Sequence, residues 1–116
     1  MKNIALGLAL LALTATTATA DTSLAITIEL DDAYLNTTTY QCGAKGTVQV
    51  HYATSETDSL ALVPVDDDTR VFVGVISASG ARYVAGQYEW WSTGEGATLK
   101  NLMTEETVLD CVTEGQ

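Results

Sequence analysis

Positive charge is scarce in this chain. Five lysines and arginines stand against fifteen aspartates and glutamates, for a formal net charge of −10. A surface of that sign repels phosphate backbones, which argues against nucleic acid and in favour of a basic protein as partner. Cysteine and histidine are nearly as rare. Two cysteines, Cys42 and Cys111, and one histidine, His51, cannot complete a closed set of zinc ligands, so no metal or cofactor is expected. His51 reads as an exposed strand residue. Asp66, Asp67 and Asp68 lack the ligand spacing of a calcium loop and read as a solvated turn. Long apolar runs are missing as well, since the one at residues 4–13 is too short to span a bilayer as a permanent helix.

That short run has a different meaning. Lys2 supplies a charged start, the apolar stretch follows, and Ala18, Thr19 and Ala20 form a small-residue cleavage site. Residues 1–20 therefore read as a Sec-type export signal cleaved after Ala20. Asp21 follows, not a cysteine, so lipid attachment is not expected and the mature chain is placed in the periplasm or outside the cell. Losing Lys2 and no acid moves the net charge from −10 to −11. In an exported chain of this size, two cysteines point to a disulfide. Closing a loop of that length is worth about 4 kcal/mol in the loop-entropy picture.

The mature chain reads as β throughout, with room for one domain. Leu24, Ile26, Ile28 and Leu30 alternate with polar or small residues, which predicts a strand. A polar break at Asp31 and Asp32 and a loop at Asn36, Thr37 and Thr38 follow. Tyr40 and Cys42 then share a face of a second strand, and Val48, Val50 and Tyr52 of a third. Leu60 and Leu62 point one way in a fourth, which Pro64 ends or marks as an edge. Strands over residues 70–76, 81–84, 87–91, 97–100 and 108–112 complete the series. Short strands at near-regular spacing, with turns between them and no helical period, predict a small antiparallel β-barrel of about eight strands, all-β and held by one disulfide. Residues 21–37 form an N-terminal extension in this reading, and residues 38–116 the barrel domain.

Small hydroxyl residues and a glycine sit in Ser77-Ala78-Ser79-Gly80-Ala81-Arg82-Tyr83, between an apolar run and an aromatic hairpin containing Tyr88, Trp90 and Trp91. That composition suits a tight, exposed bend held by packed strands. Alternation puts Tyr88 and Trp90 on one face and Glu89 and Trp91 on the other. One tryptophan belongs to the core and the other to the surface.

Tyr40-Gln41-Cys42, the run at residues 76–83, the segment at residues 86–97 and the late Cys111 together resemble the MliC/PliC family of bacterial inhibitors of c-type lysozyme. The resemblance covers roughly residues 38–112 and implies a small β-barrel with a disulfide. It implies c-type lysozyme, a basic protein, as the partner. It further implies that the loop bearing Ser79 enters the lysozyme cleft, where the serine hydroxyl meets the catalytic carboxyl groups. Gly80 matches the motif glycine, which lets the bend be tight, and Tyr83 the motif tyrosine. The family's second motif places a lysine before its glycine. Here Thr93 stands at that place, before Gly94. Arg82, beside the serine loop, is the expected alternative source of positive charge if it points outward. Weaker inhibition than the family norm, or a different lysozyme as target, follows.

Two other readings remain. A hydrolase would need His51 or Lys100 beside Ser79, and nothing in the sequence puts either base there. An acidic envelope binding module of the same fold, without strong inhibition, is made credible by Thr93.

Overall fold

The computed structural model describes Gly7, residues 12–20 and residues 22–115. The apolar stretch of the expected export signal, and Asp21 at its cleavage site, lie for the most part outside the described residues.

The described residues form eight strands: β1 (Tyr34–Gln41), β2 (Thr47–Thr54), β3 (Ser59–Val65), β4 (Asp68–Val75), β5 (Ala81–Ala85), β6 (Tyr88–Ser92), β7 (Gly96–Asn101) and β8 (Glu106–Thr113). Each pairs antiparallel with its neighbour in sequence, and β8 returns to β1 to close a barrel. Closure rests on little ladder, because only Tyr40↔Thr113 and Gln41↔Val112 pair across the β1–β8 seam. Glu114 adds one backbone bond, its N–H donating to the Thr39 carbonyl at 2.9 Å. A disulfide between Cys42, just after β1, and Cys111 of β8 staples the same seam.

Alternation selects the core. Val48, Val50 and Tyr52 of β2 face inward, as do Ala61, Val63 and Val65 of β3, with Phe72, Tyr83, Trp90 and Leu99 from β4 to β7. Leu60 and Leu62 do share a face, and it is the outer one. The Asp66-Asp67 turn, with φ of 50° and 68°, sets that parity by fixing the β3–β4 register at Val65↔Asp68. Pro64 does not end β3. Pairing with β2 stops at Leu62, so the proline sits where β3 faces β4 alone and its missing N–H is not needed.

The polar atoms inside are paired with one another. Trp90 Nε1 donates to the Tyr52 hydroxyl at 2.8 Å, and the Tyr40 and Tyr52 hydroxyls bond at 2.8 Å. Burial, reinforced by the Tyr40 hydroxyl, pushes the Tyr52 phenol far above the usual tyrosine range, so Tyr52 stays neutral. Tyr40 meets Trp90 edge-on with centroids 5.3 Å apart.

Two expectations are corrected at the N-terminal side. Residues 24–30 form no strand, and Leu24, Ile26 and Ile28 are 85%, 74% and 59% exposed. Alternation describes a face, but a strand also needs a neighbour for its backbone groups, and these residues pair with none. Asn36, Thr37 and Thr38, expected as loop, lie instead within β1, opposite Tyr52, His51 and Val50. The ladder offered by β2 overrides their polarity, and threonine is a good strand former. His51 is exposed on β2, with Nδ1 2.7 Å from the Thr37 hydroxyl.

Replacing both Cys42 and Cys111 by serine is expected to lower the unfolding free energy by about 4 kcal/mol. Urea titration followed by tryptophan fluorescence measures this; a midpoint equal to that of the parent would show that the seam holds without its staple.

Candidate functional site

Antiparallel order puts the β2–β3, β4–β5 and β6–β7 loops at one end of the barrel, with the start of β1 and the end of β8. Both sequence motifs therefore meet at a single rim. The β4–β5 loop carries Ser79 and Gly80, and the β6–β7 turn carries Thr93 and Gly94. All four are exposed.

Strand β5 leads directly out of the serine loop, and its two faces do different work. Tyr83 points inward and is only 6% exposed, 5.5 Å from the Tyr52 ring between centroids. The motif tyrosine thus supports the loop from behind, inside the wall, while its hydroxyl accepts a long 3.4 Å bond from Ser59 Oγ. Arg82 points outward, as the cation reading required, but its guanidinium is already engaged. Nε and Nη2 donate to Glu89 Oε2 at 2.9 and 2.5 Å, and Nη1 donates to the Ile76 carbonyl at 3.3 Å. Glu89 is 8% exposed. Arg82 therefore neutralises a nearly buried carboxylate and ties down the first residue of the loop.

The far side of the loop is tied as well. The Ser79 carbonyl accepts from Ser77 Oγ at 2.5 Å and from Trp91 Nε1 at 3.0 Å. Gly80 follows with φ of 64°, and a Cβ there would lie 2.5 Å from the Ser92 carbonyl oxygen. Both the left-handed backbone and the close approach to β6 demand glycine. The neighbouring turn is equally tight. Thr93 N–H donates to the Gly96 carbonyl at 2.9 Å, with Gly94 at φ 75°.

Among the described residues, the other cations do not reach this rim. Lys45 lies 3.6 Å from Asp67 at the opposite end, Arg70 sits over the Tyr88 ring, and Lys100 is opposite Glu89 on the body of β7. Among the described residues no group of three or more histidine, cysteine, aspartate or glutamate side chains could hold a metal ion. Between the serine loop and the β2–β3 loop runs an open groove of about 510 Å³, lined among others by Glu56, Asp58 and Arg82. The rim can thus present a rigid neutral hydroxyl bend beside acidic side chains.

Structure brings Ser79, Gly80, Thr93 and Gly94 together, while Tyr83 and Arg82 stand behind them. Sequence reasoning placed Ser77 in the bend but did not foresee its bond to the Ser79 carbonyl, nor Glu89 or the role of Trp91. The outward parity of Glu89 and Trp91 was the available signal, but not the partners that parity would meet.

The family model described as membrane-bound lysozyme inhibitor of c-type lysozyme, MliC, matches residues 40–107. A curated relative from Pseudomonas aeruginosa, a membrane-bound lysozyme inhibitor of C-type lysozyme, is 56% identical over 73 residues, covering 59% of this chain and 56% of its own length. One of the same name from Cupriavidus necator is 43% identical over 67 residues, covering 58% of this chain and 54% of itself. The chain thus spans a little over half the length of these curated relatives. Among solved structures, Pseudomonas aeruginosa MliC in complex with hen egg white lysozyme superposes with a TM-score of 0.62 at 39% identity, over 85% of this chain and all of that one. The periplasmic inhibitor PliC from Salmonella typhimurium gives 0.62 at 22% identity, over 71% of this chain and all of that one, which is a likeness of fold.

Gly80→Ala is expected to lower Tm by roughly 10 °C, because a left-handed alanine and a backbone clash add to about 2 kcal/mol. Gly86→Ala is the control, since its φ is 55° with nothing within 4 Å of the added methyl; about half the shift is expected. Equal shifts in differential scanning fluorimetry would show that the contact with Ser92 carries no cost.

Proposed function

The chain belongs to the family of membrane-bound lysozyme inhibitors of c-type lysozyme, and from that membership we propose that it inhibits a c-type lysozyme by lodging the Ser79 loop in the active-site cleft. One observation carries the reading: an exposed serine at the crest of a short loop whose backbone is pinned on both sides. Lysozymes cleave with two carboxyl groups that flank the glycosidic bond. A hydroxyl held between them donates where substrate would sit and offers no bond to break. Such a protein is a binding protein rather than an enzyme, and its requirement is stiffness, since preorganisation lowers the ordering cost of association.

Ser79 is the proposed contact, Gly80 shapes it, and Thr93 and Gly94 form the adjoining contact. Arg82 and Tyr83 act from behind. At position 93, a neutral hydroxyl in place of a lysine forfeits about 1.5–3 kcal/mol of charge-assisted bonding to a carboxylate. Inhibition weaker than that of lysine-bearing relatives follows, or selectivity for a different lysozyme. Residues 1–20 serve as the export signal, with Asp21 where lipid attachment would require cysteine, and the mature protein works in the cell envelope, in the periplasm. Thr93 also favours a second reading, an acidic envelope binding module of the same fold. Mature protein titrated into several c-type lysozymes, hen egg white lysozyme among them, acting on peptidoglycan separates the two: inhibition of any one supports the first, and untouched activity of all at micromolar excess supports the module.

Ser79→Ala is expected to weaken inhibition roughly 10- to 100-fold, the worth of one hydrogen bond to a charged group, with Tm unchanged. A large fall in Tm with full inhibition would make Ser79 part of the scaffold. Thr93→Lys is expected to tighten binding about tenfold or more; an unchanged dissociation constant by biolayer interferometry would show that this turn does not face a carboxylate.

A further inference from the structure

Trp91 is the outward-facing tryptophan, 38% exposed and opposite Arg82 in the β5–β6 register. Its indole N–H does not point to solvent. It donates to the Ser79 carbonyl across twelve residues of sequence at 3.0 Å. The glycine at position 80 makes this approach possible, because a Cβ there would lie 2.7 Å from Trp91 Nε1 and 3.3 Å from Cδ1. Gly80 and Trp91 are therefore a fitted pair. The same carbonyl accepts from Ser77 Oγ, so two donors hold the peptide unit between Ser79 and Gly80. A carbonyl on an exposed bend could take water instead. Here it is bound inward, which leaves the exposed Ser79 side chain on the outer side of the loop.

We propose that Trp91 is a positioning residue that holds the Ser79 loop in its binding-competent shape before any partner arrives, with Ser77 as the second tie. This rests on the reading of the loop as the lysozyme contact. If a fraction of molecules leaves the competent shape, the apparent dissociation constant rises by the inverse of the fraction remaining. One net hydrogen bond corresponds to about a five-fold change in the ratio of loose to competent loop, so the apparent dissociation constant rises by at most about that factor. Such a loss is read in association, because fewer molecules are ready to bind. A side chain that touched the enzyme directly would on removal speed dissociation instead.

Trp91→Phe keeps a ring on β6 and deletes only the donor, and Ser77→Ala removes the other tie without touching the core. Hydrogen exchange of the loop amides at residues 78–81 is measured first, in the mature protein alone. Both variants are expected to exchange about five-fold faster there, with Tm within a few degrees of the parent. Against hen egg white lysozyme, both are expected to associate more slowly, by up to about five-fold, with unchanged dissociation. Unchanged loop exchange in both variants overturns the proposal. So does faster dissociation of Trp91→Phe with an unaltered loop, which would make Trp91 a direct contact. Faster loop exchange in a protein whose parent form does not bind lysozyme upholds the positioning role and overturns the inhibitor reading alone.

Discussion

Ring closure is the constraint on which the structure depends. A barrel of eight short strands has no edges once β8 meets β1, but here the meeting is brief. Two residue pairs and one added backbone bond join β1 to β8. The disulfide joins the residue just after β1 to the body of β8, so the covalent link lies where the ladder is thinnest. Everything at the far rim inherits its geometry from this, since closure fixes how β5 and β6 tilt and where their loops emerge.

The hairpin of β5 and β6 then uses its two faces for separate purposes. Inward, Tyr83 and Trp90 fill the barrel and satisfy their polar atoms on Ser59 and Tyr52. Outward, Arg82, Glu89 and Trp91 form a brace against the loop. Arg82 joins the buried carboxylate of Glu89 to the Ile76 carbonyl, and Trp91 reaches the Ser79 carbonyl. Strands are rigid where a loop is not, so tying both sides of a bend to one hairpin transfers that rigidity to the bend. Residues of one five-residue strand thus serve core and rim at once.

Much of this was legible in the sequence, because the legible part depends on local pattern. Period-two alternation named the inward residues of β2, the run Asp66-Asp67-Asp68 named the β3–β4 turn although Asp68 already opens β4, and the two cysteines named their own bond. The motif at residues 79–83 located the loop. What escaped depends on partners that pattern does not carry. Residues 24–30 alternate as well as β2 does, yet they find no neighbour. Asn36, Thr37 and Thr38 look like a loop and form a strand because β2 lies alongside. Arg82 was read as a free cation, since nothing in the sequence says that Glu89, seven residues on, will meet it across the hairpin. Trp91 could be placed on one face with Glu89, but that this face is the outer one, and that Trp91 reaches back to Ser79, become visible only once the loop folds over β6.

Charge and neutrality divide the labour of recognition on the proposed reading. The full chain carries a formal net charge of −10, and on this reading a basic lysozyme is drawn to it over the range of the Debye length. The catalytic cleft, however, holds carboxyl groups, and a negative group pushed among them would be repelled. Among the described residues the one cation near the rim, Arg82, is matched by Glu89, and the loop itself, from Ile76 to Ala81, carries no charge. A neutral hydroxyl can donate to a carboxylate where an acid could not, and it does so without the cost of desolvating a full charge. Long-range attraction then belongs to the body of the barrel and short-range fit to the uncharged bend. With no lysine at position 93 to add a strong local bond, affinity depends all the more on how firmly that bend is held.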